Sequence, residues 1–322
     1  MFLILTALNN FVPNIYSIDD MGGSFVDYFI DNIETISDSY EDLVKHMNIE
    51  NKERARFILT NFLSMPAKSF SKQFEIDSDY LINTYVINQS DYQEQLDLMR
   101  GVKRNPHSSL LSQKIEQTFS SGNDVILKHH GLKNLPPNTL AYINDSVFID
   151  GGAYIGDSAA IFQLYGAKKV FSFDIVPEHE QKYKENMKLI GIDRKKFKFV
   201  QKGLSDRPHR VYIQFDGCGS NIFGKAGTDV QMVTLDSMQR KFQKIGRVGF
   251  IKFDLEGAGF EALVGSIETI KRDRPVLQLA VYHSPIEFFK IKKLLQEIVG
   301  EGYEFEIKHH CFFKEIYAEI NL

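Results

Sequence analysis

From Ser146 onward, short apolar segments alternate with stretches of helical periodicity, and this alternation constrains the fold more than any other feature of the sequence. Short apolar runs separated by helices are typical of a mostly parallel β-sheet that carries helices on both faces. The predicted strands lie at 147–149, 169–173, 197–200, 249–253 and 275–281. The predicted helices cover 157–165, 178–190, 259–271 and 286–299. The pattern therefore predicts an α/β fold with a doubly wound, mostly parallel sheet.

The sequence finishes with two further strand-like segments, at 303–307 and 315–320. Only a short loop separates them, and such a loop can join antiparallel strands but not parallel ones. We therefore expect the sheet to end in an antiparallel hairpin. A sheet closed in this way is Rossmann-like, but it differs from the sheet of dinucleotide dehydrogenases, which lacks that ending.

Residues 1–140 have a different texture, because they are rich in Asn, Ser, Asp and Phe and their periodicity is mostly helical. Apolar residues recur at helical spacing up to Leu63, and weaker helical patterns lie near 91–100 and 109–119. A Pro-rich segment at 135–138 indicates a connector. We predict a mainly helical N-terminal region at 1–140, whose role stays open, and a second domain at 141–322.

The composition is that of an ordinary globular protein, with 43% hydrophobic and 25% charged residues. A net charge of −4 gives no strong attraction to nucleic acid, and no apolar stretch is long enough to span a membrane. Cys218 and Cys311 fit no metal-ligand spacing and are interpreted as reduced thiols. The apolar start at 1–5 lacks the features of a signal peptide, so we expect a cytoplasmic protein.

A glycine-containing segment at 150–157 directly follows the first predicted strand. Its glycines allow a tight turn and a close approach to a ligand, which a Cβ would prevent. The spacing is not that of the dinucleotide fingerprint, and a carboxylate at the strand end would repel a pyrophosphate. An acid there can instead accept hydrogen bonds from a cationic amino-acid group. The candidate cofactor residues of this turn are Asp150, Gly151, Gly152, Tyr154 and Gly156.

The second and third predicted strands also end in polar groups. Asp174 closes the second strand, where an acid suits the two hydroxyls of an adenosine ribose. After the third strand, Leu204, Ser205 and Asp206 could meet the edge of an adenine. Ligands of open α/β sheets bind in the crevice outside the carboxyl ends of the strands, so these groups are expected to share one site.

Residues 148–318 resemble the FkbM-type methyltransferase family. The resemblance is carried by Phe148-Ile149-Asp150-Gly151-Gly152-Ala153, Phe173-Asp174, Leu204-Ser205-Asp206, Ile251-Lys252-Phe253-Asp254-Leu255-Glu256-Gly257 and Tyr282-His283. It implies a class I methyltransferase that uses S-adenosylmethionine to methylate a hydroxyl of a carbohydrate or secondary metabolite. Two departures concern Tyr154, where family members often have Asn, and 259–261, where an immediate Glu is more usual.

A reaction centre is predicted where the fourth and fifth strands end. Methyl transfer to a hydroxyl needs an aligned nucleophile and a group that takes its proton. Asp254 and Glu256 could act as base and orienting group, or could hold a divalent cation such as Mg or Mn. His283 is the second candidate base, with a hydrogen-bonded core histidine as the alternative. Lys252 could pair with one of the acids.

Two functions of other classes stay open beside the methyltransferase. One is a non-catalytic protein of cofactor-binding fold whose N-terminal region mediates assembly, and the other is a nicotinamide-dependent oxidoreductase. The expected partner of the leading interpretation is a small-molecule or glycan acceptor, and a homo-oligomer stays open. His129 and His130, near the end of the N-terminal region, are expected to lie at the surface.

Overall fold

The computed structural model describes residues 21–63, 109–119, 129–216, 219–221, 228–300, 302–309 and 314–320. The apolar start at 1–5, the helical pattern at 91–100 and both cysteines lie outside these ranges. None of the helices within them is both long and apolar enough to cross a membrane.

The strands, in chain order, are β1 (Val147–Gly151), β2 (Lys169–Asp174), β3 (Phe197–Gln201), β4 (Gly203–Leu204), β5 (His209–Asp216), β6 (Gly219–Asn221), β7 (Thr228–Val233), β8 (Val248–Phe253), β9 (Val276–Ala280), β10 (Tyr303–His309) and β11 (Lys314–Ile320). Seven of them form the central sheet in the order β3-β2-β1-β8-β9-β11-β10. The first five in that order are parallel to their neighbours, and β11 runs antiparallel to both β9 and β10. The doubly wound sheet and its terminal hairpin are therefore confirmed.

The helices are α1 (Met21–Asp31), α2 (Ile36–Val44), α3 (Ile49–Leu63), α4 (Leu110–Thr118), α5 (Pro137–Ile143), α6 (Asp157–Leu164), α7 (Pro177–Ile190), α8 (Gln239–Gln243), α9 (Gly259–Val264), α10 (Ile267–Asp273) and α11 (Pro285–Val299). Sequence signals mark several of their ends. A proline opens both α7 and α11, where its missing N–H costs nothing, and left-handed Gly191 closes α7. Ser284 caps α11 by accepting from the N–H of Glu287.

Two features differ from the sequence prediction. The strands β4 to β7 form a second sheet, in the order β4-β7-β5-β6, which no predicted run represented. The helix predicted at 259–271 is two helices, α9 and α10, separated at Gly265 and Ser266. A side chain at Gly265 would collide with the carbonyl oxygen of Ser205, so the chain passes close to another segment there.

The central sheet separates two apolar layers because neighbouring residues of a strand point to opposite faces. Val147 and Ile149 of β1 belong to one layer, together with β9, α11 and the helices α1 to α3. Phe148 belongs to the other, where its ring centroid lies 5.1 Å from that of Phe250 and where α4 to α7 pack. Helices from before residue 140 thus contribute to both layers, while the domain boundary itself stays a prediction.

Helix α3 lies against the edge strand β10. The side chain of Asn51 accepts a hydrogen bond from the Ile307 N–H at 2.9 Å, and Arg54 donates to the Ile307 carbonyl at 3.2 Å. Unpaired edge groups are templates for association with other chains, and covering them removes that hazard. Hydrogen bonds from the N-terminal region therefore satisfy backbone groups on the free edge of β10.

Candidate active site

The glycine turn after β1 is packed against the end of β8. Gly152 has a φ of +81°, and a Cβ at this position would collide with the carbonyl oxygen of Asp254. The N–H groups of Gly152 and Ala153 both donate to the carbonyl of Phe173, and the Asp254 N–H donates to Gly151. The turn is thus held between β2 and β8, at the carboxyl ends of the strands, as predicted.

The turn ends where helices α6 and α7 meet. Gly156 has a φ of +94°, and a Cβ there would lie 2.8 Å from both Tyr183 and Met187 of α7. The side chain of Asn186 donates to the carbonyl of Ile155 at 3.0 Å. Glycine is therefore required here for close packing of the two helices, besides any approach to a ligand.

Asp150 is fully buried beneath the turn. Its carboxylate accepts from the Ser158 hydroxyl at 2.9 Å and from the Ser172 hydroxyl at 3.2 Å. Lys252 lies 3.4 Å away and also donates to the Gly152 carbonyl at 3.1 Å. Burial raises the pKa of Asp150, and the Lys252 ammonium opposes that effect. Lys252 was predicted to pair with Asp254 or Glu256, and the ion pair that it forms in the structure is with Asp150. Direct contact of Asp150 with a cofactor stays a prediction.

Asp174 stands at the end of β2 and joins the turn to α7. One carboxylate oxygen accepts from the Tyr154 N–H at 2.8 Å. The other accepts from the Val176 N–H at 2.8 Å and lies 3.0 Å from Nδ1 of His179. A carboxylate has about four acceptor positions. Asp174 therefore keeps capacity for a ligand hydroxyl while three groups of the protein fix its orientation.

The predicted adenine contacts lie beside the end of β2. A Cβ at Gly203 would lie 3.2 Å from Ile175, the residue that follows Asp174. Leu204 and Ser205 are buried, and the Ser205 hydroxyl donates to Asp206 at 3.1 Å. The structure therefore brings this segment to the same end of the sheet as Asp174.

The three predicted catalytic residues converge. Nε2 of His283 lies 3.4 Å from Asp254 and 3.5 Å from Glu256. The hydroxyl of Tyr282 donates to the same Asp254 oxygen at 3.0 Å. Glu256 and Gly257 both have positive φ, which turns the chain sharply between β8 and α9. Two carboxylates and an imidazole thus form one cluster, hereafter the acid–histidine cluster, next to the glycine turn.

One buried acid beside this cluster was not predicted from the sequence. Glu287 of α11 lies 3.7 Å from Nδ1 of His283 and accepts from the Gly259 N–H at 2.8 Å. Burial raises the pKa of Glu287 to about 8, and the charges of Asp254 and Glu261 act in the same direction. The spacing between Ser284 and Glu287 is that of a capping box, and the spacing between His283 and Glu287 is that of neighbours on one helix face. The sequence therefore carried a signal for the position of Glu287.

The divalent cation finds no support in this geometry. Within the part of the chain that the structure describes, no three His, Cys, Asp or Glu side chains are grouped as a metal site. Asp254 and Glu256 each approach the imidazole of His283 with one oxygen, and the Tyr282 hydroxyl also donates a hydrogen bond to Asp254. These residues therefore do not fit a metal centre.

The expectation that His129 and His130 lie at the surface was wrong. His130 is buried, with Nε2 3.3 Å from the Asp157 carboxylate at the start of α6. Nδ1 of His129 lies 2.7 Å from the Tyr165 hydroxyl, and burial lowers the pKa of His129 to about 4. Their segment packs against α6 because the chain turns there through consecutive left-handed residues, which hydrophobic periodicity does not reveal.

The sheet order and the terminal hairpin are those of the Rossmann-like fold of class I methyltransferases. Residues 150–307 match the sequence model described as the Methyltransferase FkbM domain. The domain therefore belongs to the FkbM methyltransferase family. A search of curated protein sequences finds no match to the chain.

One solved structure shares the overall fold. The chain is similar to a methyltransferase FkbM from Methylobacillus flagellatus KT, with 17% identity and a TM-score of 0.55 over 91% of this chain. It spans only 60% of that protein's length. An rRNA methylase from Streptococcus thermophilus matches with 12% identity and a TM-score of 0.39, over 61% of this chain and 96% of its own. TrmK of M. capricolum, solved with S-adenosyl-homocysteine, matches with 13% identity and a TM-score of 0.33, over 57% of this chain and 66% of its own.

Proposed function

We propose that the protein methylates a hydroxyl group of a carbohydrate or secondary metabolite, with S-adenosylmethionine as the donor. The acid–histidine cluster carries this proposal. A hydroxyl must lose its proton as its oxygen attacks a methyl group, so a base has to lie beside the acceptor. Asp254, Glu256 and His283 supply such groups at the strand ends next to the glycine turn.

The remaining site residues bind and orient the cofactor in this proposal. Asp174 takes the ribose hydroxyls, and Leu204, Ser205 and Asp206 meet the adenine edge. The glycine turn leaves room for the amino-acid end, with Asp150 and Lys252 fixing the backbone of the turn from below. The cofactor supplies a methyl group on a positively charged sulfur, and the protein holds the acceptor oxygen in line with that bond.

Within the cluster, accessibility favours Asp254 as the base. Its side chain is 25% exposed, whereas that of His283 is only 4% exposed. Tyr282 and His283 both contact Oδ1 of Asp254, which leaves Oδ2 for the hydroxyl of the acceptor. Glu256 is half-exposed at the outer side and can accept from further hydroxyls, which suits a polyhydroxylated acceptor. His283 is then a positioning residue that orients Asp254 and Glu256.

The donor and the product are tested together. Isothermal titration should show binding of S-adenosylhomocysteine and none of NAD. The protein is then incubated with methyl-labelled S-adenosylmethionine and a panel of sugars and hydroxylated metabolites. The expected product is a methyl ether, identified by mass spectrometry. Binding of NAD, or methylation at nitrogen or carbon, would contradict the proposal.

The base is tested with Asp254→Asn, which keeps the shape of the side chain but cannot take a proton. We expect turnover on the acceptor from the panel to fall by roughly 10²–10⁴ while S-adenosylhomocysteine affinity stays near the native value. The matched control is Asp145→Asn, an exposed acid that pairs only loosely with Lys168. Near-normal turnover of Asp254→Asn would show that the acid is structural. Full activity in a chelator is expected, and rescue of a chelator-inactivated enzyme by Mg or Mn would reinstate the cation.

A further inference from the structure

Tyr154 occupies a costly position in the glycine turn. Its φ is +43°, in the left-handed region, where a bulky residue is a genuine outlier. The side chain gains little packing in exchange, because Tyr154 is 50% exposed. Strain of this kind persists where the surrounding structure enforces it, and it concentrates at ligand-binding sites. Tyr154 is therefore held in an unfavourable backbone conformation while half of the residue is open to solvent.

Two contacts hold Tyr154 in place. Its N–H donates to Asp174 at 2.8 Å, and this bond fixes the backbone. Its ring stands nearly perpendicular to the imidazole of His179, at 86°, with the centroids 4.8 Å apart. An edge-to-face contact of this geometry is favourable for two aromatic rings. The ring is thus supported by His179, while half of the residue stays exposed.

His179 also holds Asp174. Nδ1 of His179 lies 3.0 Å from one Asp174 oxygen, which requires the proton to be on Nδ1 when the carboxylate is ionised. His179 lies in the first turn of α7, so its ring is carried by a regular element rather than by the turn itself. One imidazole therefore fixes the acid predicted to bind the ribose and supports the exposed ring beside it.

We propose that His179 is a positioning residue of the cofactor site, which orients Asp174 and supports the Tyr154 ring so that this ring packs against the nucleoside of S-adenosylmethionine. The inference rests on the proposed cofactor site at Asp174. A nucleoside offers apolar, planar surface, and its contact with the ring removes from water the part that the ligand-free protein leaves exposed. The strain at Tyr154 is then offset only when the cofactor binds.

Tyr154→Asn separates strain from binding, because Asn adopts the left-handed region more readily but has no ring. Without ligand, this variant should melt no earlier than the native protein. Its S-adenosylhomocysteine affinity, measured by isothermal titration, should fall about tenfold. Tyr154→Phe keeps the ring and should restore the affinity. His46→Asn is the matched control, since His46 has a φ of +64° in the exposed turn after α2, and its affinity should be native.

The role of His179 is tested by a double-mutant cycle. His179→Ala should weaken S-adenosylhomocysteine binding about tenfold, and much less in the Tyr154→Asn background, because the two residues act together. Glu180→Ala, which removes the pair with Lys184 on the same helix, should leave the affinity unchanged. Unchanged affinity of Tyr154→Asn, or fully additive effects of the two substitutions, would overturn the inference.

Asp174→Ala distinguishes failure of the inference from failure of the cofactor site. If Asp174→Ala weakens binding and His179→Ala does not, only the role of His179 is wrong. If Asp174→Ala binds S-adenosylhomocysteine with native affinity, the ribose is bound elsewhere, and both the cofactor site and the inference fall.

Discussion

At Gly152, the turn after β1 passes so close to the end of β8 that no side chain fits between them. From the sequence, this glycine was predicted to allow the approach of a ligand. The structure adds a second reason, because the neighbour that a Cβ would meet is the backbone of Asp254 in the same protein. The cofactor turn and the predicted base therefore share one backbone contact.

Gly152→Ala is expected to destabilise the protein by about 2–4 kcal/mol and to abolish S-adenosylhomocysteine binding, because a backbone collision adds to left-handed strain. Gly191→Ala is the matched control. Gly191 has a φ of +89° in the left-handed region, and a Cβ there would meet only the flexible end of the Lys114 side chain, at 3.7 Å, so only strain of about 1 kcal/mol is expected. Urea denaturation and titration measure both effects. Equal losses in the two variants would contradict the role of the close contact.

Glu287 should make the stability of the protein depend on pH. Its pKa in the folded protein is raised to about 8, so the folded state binds this proton more tightly than the unfolded chain does. The titratable groups that face it are His283, Asp254 and Glu261. The stabilisation that comes from the protonated Glu287 carboxyl is fully present below the pKa of a Glu in the unfolded chain, and it is lost as the pH rises toward 8.

The variant Glu287→Gln cannot titrate, yet its amide oxygen can still accept from Gly259. Its stability relative to the native protein should therefore increase between pH 5 and pH 8, by on the order of 3 kcal/mol. Denaturant unfolding at several pH values measures this difference. Glu297→Gln, at an exposed position of the same helix, should follow the native profile. A constant difference between Glu287→Gln and the native protein would show that Glu287 is ionised throughout.

At the scale of elements, Lys292 joins α11 to the end of α2. Its ammonium is buried and donates to the carbonyls of Asp42 at 3.0 Å and Lys45 at 2.7 Å. The last carbonyls of a helix have no partner within the helix, and a cation near them also interacts favourably with the helix dipole. A single buried side chain thus anchors the N-terminal helices to the methyltransferase domain.

Lys292→Met is expected to cost about 1–3 kcal/mol, because two helix-end carbonyls lose their donor while the apolar stem is kept. Hydrogen exchange should increase in α2 more than in the central strands. Lys293→Met is the matched control, since Lys293 is half-exposed and makes only a surface pair with Asp42 at 3.1 Å. Such pairs contribute little. Equal effects of the two substitutions would show that the buried donor does not anchor α2.

The elements differ in how well the sequence predicted them. The strands β1, β2, β8 and β9 were found because they are short apolar runs, buried on both faces. β5 was missed although Val211, Ile213 and Phe215 alternate with polar residues, which is the period of a half-buried strand. β4 and β6 have two and three residues and carry no period at all. His179 and Glu287 were missed because their roles arise only when α7 and α11 are placed against β2 and β8.

At the scale of the molecule, segments far apart in sequence complete one another. Asn51 and Ile307 are joined by a hydrogen bond across most of the chain, and helices from before residue 140 lie in both apolar layers. The sequence predicted a helical N-terminal region but not where it packs, because the partners of its apolar faces are fixed only by the folded sheet. The spacing of apolar residues along a helix indicates which face is buried, but it does not indicate which element packs against that face.

The position of β11 has a consequence for how the chain folds as it is made. This seven-residue strand is the last of the described strands in the sequence, yet it lies between β9 and β10. Until it is synthesised, β9 has an open edge, and a buried strand with an open edge is prone to pair with other chains. β9 leads directly to Tyr282 and His283. The part of the sheet next to the acid–histidine cluster is therefore completed last during synthesis. It is completed when β11 inserts between β9 and β10, and not by addition of a strand at an outer edge.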